Sequence, residues 1–192
     1  MGRFSSTVLY SDDGGNTWLQ SSAELKAPAP DWHGLFGAVE PVVLELSDGR
    51  VWMLFRTQIG RLYESFSEDG INWSPARATR LLSSDSPLGL VRLDEKKIAL
   101  FWNSCRQFPN AYGGQHVLHA AISEDEGGSC RGMREAFRDP LGAQADSVSG
   151  ARGAGSPFPV VTPEGKVFIA LGHGASGVSG VLLDPAWLYE TR

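Results

Sequence analysis

The sequence predicts an all-β fold assembled from four-stranded antiparallel units, and three observations carry that prediction. One turn motif occurs three times, as Ser11-Asp12-Asp13-Gly14-Gly15-Asn16-Thr17-Trp18, Ser67-Glu68-Asp69-Gly70-Ile71-Asn72-Trp73 and Ser123-Glu124-Asp125-Glu126-Gly127-Gly128-Ser129-Cys130. Its aspartates Asp13, Asp69 and Asp125 follow one another at intervals of 56 residues. A long fixed period marks supersecondary units that stack or surround an axis. A second layout also occurs three times: a proline, an acid seven residues on and a base nine residues on, as Pro41/Asp48/Arg50, Pro87/Asp94/Lys96 and Pro157/Glu164/Lys166. Each reads as strand, tight turn, strand, a β-hairpin. Finally, short Val-, Ile-, Leu-, Phe- and Tyr-rich runs are separated throughout by Gly, Pro, Asp and Ser clusters, the pattern of strands and turns.

Taken in order, residues 1–30 hold one turn motif between two short strand signals, half a unit. Residues 38–82 hold a full unit, with strands expected at 41–46, 50–57, 61–66 and 73–81. Residues 86–138 repeat it, and 131–138 reads as its last strand, not as a helix. Residues 139–156, rich in Gly, Ala and Ser, read as a long loop, and 156–192 as most of a further unit. Four antiparallel strands per unit, repeated around an axis, make a β-propeller blade. The chain is therefore expected to be a single incomplete propeller domain of about three to three and a half blades, with other blades or a second copy needed to close the ring. A solenoid fits less well, because parallel β-helix turns are far shorter than this repeat.

Composition narrows the partners. The chain has 192 residues, 42% hydrophobic and 20% charged, which suits a globular core. A net charge of −5 without a basic run argues against nucleic acid. No apolar run reaches 18 residues, so no membrane span is expected. Residues 1–6 lack the apolar core of a secretory signal, and Gly2 with Ser6 fits only the permissive myristoylation pattern. Cys105 and Cys130 form no Cys-x-x-Cys and are read as free, semi-buried thiols, Cys130 standing where the other motifs have Trp.

The Ser-x-Asp-x-Gly-x-x-Trp turn resembles the Asp-box, or BNR repeat, of the sialidase (neuraminidase) superfamily. Residues 11–18 match it in full, 67–73 with one residue deleted, and 123–130 apart from the Trp. The box is structural: its Asp and Ser oxygens bind local backbone N–H groups, with the Trp expected to pack under the turn. The resemblance implies a six-bladed propeller, here a C-terminal partial copy, and exo-α-sialidase-like hydrolysis of a terminal sialic acid or related acidic sugar. Such enzymes use an arginine triad for the substrate carboxylate, an Asp acid/base, and a Tyr nucleophile paired with a Glu, an exception to the two-carboxylate scheme. Relatives are often secreted or periplasmic.

On that resemblance Glu40 is the catalytic glutamate and Arg56 a carboxylate-binding arginine. Hairpin geometry supports the pairing independently: a three-residue turn at Ser47-Asp48-Gly49 sets residue 46 opposite 50 and residue 40 opposite 56. A two-residue turn would send the two side chains to opposite faces. The third arginine is expected near 112–116, where the chain has Gln115; Arg106 is the nearby substitute. Gln115 lacks the charged bidentate fork of arginine. The nucleophile is expected ahead of the last hairpin, where Gly155-Ser156-Pro157-Phe158-Pro159 holds no tyrosine; Tyr112 is the other loop tyrosine. No cofactor or metal is implied.

Other readings weigh less. A non-catalytic glycan-binding propeller is the alternative, and the shortened turn at 67–73 also resembles that of five-bladed arabinanase-like enzymes. Gly172-His173-Gly174-Ala175-Ser176-Gly177 matches a dinucleotide fingerprint, but Val178 onward reads as strand where a helix is required. His33, His116, His119 and His173 have no metal-ligand spacing, and His119 reads as a core residue.

Overall fold

The structure, a computed structural model, describes residues 1–28, 36–104, 114–139, 154–172 and 177–190. Arg106, Tyr112, Cys105, His33 and His173 lie outside them. Among the described residues four antiparallel sheets follow one another along the chain. The first pairs β1 (Leu9–Tyr10) with β2 (Leu19–Gln20), extended by a bridge between Ser6 and Leu25. The second orders β3 (Val39–Glu45), β4 (Val51–Arg56), β5 (Arg61–Ser67) and β6 (Arg77–Leu82). The third is a like meander of β7 (Gly89–Arg92), β8 (Ile98–Trp102), β9 (Val117–Ser123) and β10 (Arg131–Arg138). The fourth has β11 (Gly155–Val161), β12 (Val167–Gly172) and β13 (Val178–Leu183), followed by a 3-10 turn at Pro185–Tyr189. No helix among the described residues is long and apolar enough to cross a membrane.

The strand period of two explains how the sheets stack. Along β4, Trp52 and Leu54 face the third sheet, burying with Leu88, Ile98, Leu100 and Trp102. Met53 and Phe55 face the other way, onto Leu25, Ala27 and Ala38. Along β8, Ala99 and Phe101 face the fourth sheet and its Val167, Ile169 and Leu171. Each middle sheet is thus apolar on both faces. The first strands β3, β7 and β11 of the three larger sheets lie side by side, as the innermost strands of adjacent propeller blades do.

The turn motifs form at one end. In the first, Asp13 Oδ1 accepts from Thr17 N–H at 2.8 Å while Ser11 Oγ accepts from Gly15 N–H at 2.8 Å. In the second, Asp69 Oδ1 accepts from Ile71 N–H at 2.8 Å and Asn72 N–H at 2.7 Å. The third repeats the first through Ser129 N–H, 2.8 Å from Asp125 Oδ1. The tryptophans bond back to their own turns, Trp18 Nε1–H donating to Gly15 O at 3.2 Å and Trp73 Nε1–H to Gly70 O at 3.1 Å. Trp73 is partly buried against Met53 and Phe55 and their cluster, whereas Trp18 is 61% exposed. The interior side of the third turn is filled instead by Trp52 of the preceding sheet, against which Gly127 sits so closely that a Cβ would lie 2.7 Å from the ring. Cys130 is free and exposed, not semi-buried.

Two expectations shift. The last strand of the second sheet starts at Arg77, because residue 73 makes only an isolated bridge with Ser67. In the second hairpin the turn closes between Leu93 N–H and Lys97 O, not at Lys96, whereas the others close at Leu46/Arg50 and Thr162/Lys166. That hairpin carries one extra residue, so the equivalents of Arg56 are Asn103 and Gly172.

Candidate functional site

The end opposite the turn motifs is where β3, β7 and β11 begin and β4 and β8 finish. The first hairpin has the expected three-residue turn, with Leu46 N–H bonded to Arg50 O and Gly49 in the left-handed region at φ 85°. From there the register runs Glu45↔Val51 to Val42↔Leu54, then slips by one so that Val39, not Glu40, opposes Arg56. The slip is a β-bulge, and Glu40 occupies it at φ 50°. A residue before proline avoids the right-handed helical region, and a bulge turns its side chain across the strand. The bulge keeps the pair together: Arg56 Nε lies 3.1 Å from Glu40 Oε2.

The bulge recurs in the fourth sheet, whereas β7 and β8 of the third pair without a slip. Ser156, also before a proline, has the same φ of 50° and the same register slip. What differs is the side-chain pair. In the second sheet it is Glu40 with Arg56; in the third, Ser86 Oγ donates to Asn103 Oδ1 at 2.7 Å; in the fourth, Ser156 and Gly172 hold the equivalent positions. Asn103 spends its amide on the carbonyls of Val117 at 2.7 Å and Ala154 at 3.1 Å, knitting β9 to the entrance of β11. A neutral pair thus does the structural task in the third sheet. The second sheet has a charged pair at the same place.

A third charged group has no counterpart among the sequence candidates. Asp85, two residues before Pro87, is 6% exposed and lies with Oδ1 3.4 Å from Arg56 Nε. Its Oδ2 accepts from Gln58 Nε2 at 3.1 Å, and its backbone carbonyl accepts from Arg56 Nη1 at 3.5 Å and Gln115 Nε2 at 3.1 Å. Gln58 Oε1 in turn accepts from Phe36 N–H at 3.2 Å, and the Arg56 guanidinium sits 5.9 Å from the Phe36 ring centre. Burial pushes the Asp85 carboxyl above the ordinary carboxylate range, against the opposing pull of Arg56 and the Gln58 hydrogen bond. Arg56 Nε and Asp85 Oδ1 are both buried yet neither makes a directed hydrogen bond.

Gln115 is at this end, tying the entrance of β7 to that of β11, where Gly155 leaves room for it. Phe158 is on the outward face of β11 and 70% exposed. His119 is buried in β9, its Nδ1 accepting from Ser104 N–H at 3.3 Å, and His116 is exposed. No cluster of metal-ligating side chains occurs among the described residues. An open cleft of ≈ 380 Å³ lined by Arg50, Phe66, Asp69 and Trp73 lies at the other end, beside the second turn motif.

Comparison with solved structures places this fold. The NanB sialidase from Streptococcus pneumoniae is similar over 97% of this chain and 28% of its own, at 19% identity and a TM-score of 0.65. The intramolecular trans-sialidase from Ruminococcus gnavus is similar over 96% of this chain and 39% of its own, at 18% identity and a TM-score of 0.63. Zg3597, a family 117 glycoside hydrolase from Zobellia galactanivorans, is similar over 95% of this chain and 59% of its own, at 13% identity and a TM-score of 0.54. The chain spans 28% and 39% of the two sialidases, and its fold is a partial β-propeller of their kind. No curated protein matches the sequence. The model of the BNR repeat-like domain matches residues 1–135, a span holding all three turn motifs and the Glu40–Arg56–Asp85 cluster, and the chain belongs to the BNR repeat-like family.

Proposed function

We propose that this chain is part of a sialidase-like glycoside hydrolase that binds a terminal sialic acid or related acidic sugar at the mouth formed by β3, β4 and β7. The observation that supports it is the replacement of a neutral Ser86–Asn103 pair by the charged Glu40–Arg56 pair at the equivalent place in one sheet. A structural pair needs no charge there, since the neighbouring sheet does without one. A guanidinium is the side chain suited to a substrate carboxylate, because its planar fork offers paired donors and a permanent charge.

In this reading Arg56 holds the sugar carboxylate and orients the ring. Glu40, ion-paired at the same mouth and half-exposed, is the base that removes a proton from a nucleophile or water. A tyrosine suits an anionic sugar as nucleophile, since a carboxylate would be repelled by the substrate's own charge. Residues 155–159 supply none, and Phe158 points away from the mouth. The isolated chain is therefore expected to bind the sugar and turn it over poorly. The lack of a tyrosine in residues 155–159 also favours the second reading, a glycan-binding propeller without catalysis.

Calorimetric titration with N-acetylneuraminic acid, beside a fluorogenic sialoside assay, tests this. Expected are saturable binding, its loss in Arg56→Ala, and turnover near background. Equal binding by Arg56→Ala and the parent would remove Arg56 from the site. Turnover abolished by Glu40→Gln would show that the chain is a competent enzyme after all.

A further inference from the structure

Arg56 is shared by two carboxylates, with Nε 3.1 Å from Glu40 Oε2 and 3.4 Å from Asp85 Oδ1. An anion that binds the guanidinium brings a third negative charge to one positive group. Like charges at such distances favour protonation of one of them. The two resident carboxylates are not equally exposed to water. The Glu40 side chain is 48% exposed, so water screens it, whereas that of Asp85 is 6% exposed. The incoming charge therefore falls hardest on Asp85.

The hydrogen bonds also identify the atom. Oδ2 of Asp85 is held by the Gln58 amide, which is itself fixed by Phe36 N–H. Oδ1 faces Arg56 Nε with neither atom in a directed hydrogen bond. Buried groups left in this state carry a penalty that a ligand can relieve. Ionised, Oδ1 competes with a ligand for the guanidinium. Protonated, it becomes a donor toward the ligand's oxygen.

We propose that Asp85 is the positioning residue of Arg56, and that an anionic ligand binds Arg56 together with one proton taken from solvent by Asp85 Oδ1. The ligand's identity rests on the acidic-sugar reading above; the coupling between Asp85 and Arg56 does not. The raised carboxyl of Asp85 means that part of this protonation is already favoured before any ligand arrives. Among the described residues the charged groups facing Asp85 are Arg56 on β4 and, across it, Glu40 on β3; Gln58 and Gln115 are neutral. His116 and Asp139 stand at the same end but beside β9 and β10, outward from β7 in the sheet.

Linkage sets the sign of the effect. Affinity is constant at pH values below the free-state pKa of Asp85. It weakens by about tenfold per pH unit between the free-state and ligand-bound values, and levels off above them. Titrating N-acetylneuraminic acid from pH 4 to 8 reads this directly. Asp85→Asn, which keeps the shape and removes the charge, is expected to flatten the profile and to bind at pH 7 as the parent does at its acid plateau. The same slope in Asp85→Asn, or weaker binding at every pH, would overturn the proposal. If the sugar binds neither protein, the acidic-sugar reading fails, and the coupling is then read without ligand. The Arg56 Nε–H signal and the Asp85 carboxyl carbon, followed by NMR, are expected to titrate with one shared midpoint above the ordinary carboxylate range. Separate midpoints would sink it.

Discussion

A carboxylate that is raised by burial and several that are lowered by hydrogen bonds act on stability in opposite senses. Asp85 is raised, so the folded state prefers its neutral form, and folding loses stability as pH climbs from the unfolded value of about 4 through the folded one. Asp85→Asn is expected to raise Tm by a few degrees at pH 7 and by nothing at pH 3, measured by calorimetry. The turn aspartates run the other way. Thr17 holds Asp13 down to about 2, Asn72 lowers Asp69, and Ser129 lowers Asp125. Their contribution is complete above about pH 4 and fades as pH falls toward the folded values. Circular dichroism should show acid unfolding beginning below about pH 4, with Asp69→Asn removing one share of that dependence. Gly127 is a harder constraint, at φ 86° with Trp52 where a Cβ would go. Gly127→Ala should cost about 1–3 kcal/mol in a denaturant titration, from backbone strain and overpacking together.

Strands and turns are legible in the sequence where their causes are local. The Ser47-Asp48-Gly49 turn and the three Asp-boxes are each settled within a few consecutive residues, and the length of that turn together with the bulge at Glu40 brings Glu40 beside Arg56. What is not legible depends on distant chain. The extra residue of the second hairpin lies between Pro87 and Leu93, ahead of a turn of the same three residues, and it shifts the equivalence from Trp102 to Asn103. Asp85 sits in Ser83-Ser84-Asp85-Ser86, which reads as an ordinary polar turn. Its burial and its partner 29 residues earlier come from two strands meeting side by side. The next such meeting is close: a Cβ on Gly89 of β7 would lie 2.6 Å from Pro159 Cδ and 2.7 Å from Pro157 O of β11. Gly89→Ala is expected to push these inner strands apart, costing about 1–3 kcal/mol and weakening whatever binds at the mouth, as calorimetry and ligand titration would show.

Across the whole molecule the two ends have different work. The Asp-box end is tied sheet to sheet, with Glu126 reaching Ser47 N–H of the preceding sheet and Arg92 at 2.6 Å. The opposite end gathers the charged mouth. Between them, apolar faces alternate with sheets until the last one, whose outward side shows Phe158, Val160, Phe168 and Leu182 to solvent.

That bare side makes the chain behave as a row of dominoes. The third sheet has a neighbour on each face, and the fourth has one among the described residues. In a stack held by nearest-neighbour contacts, protection from opening decays toward the unsupported member. Amide hydrogen exchange should therefore be slowest in β8 and β9 and quickest in β13. Equal protection in both would mean that the row continues onto another body in solution.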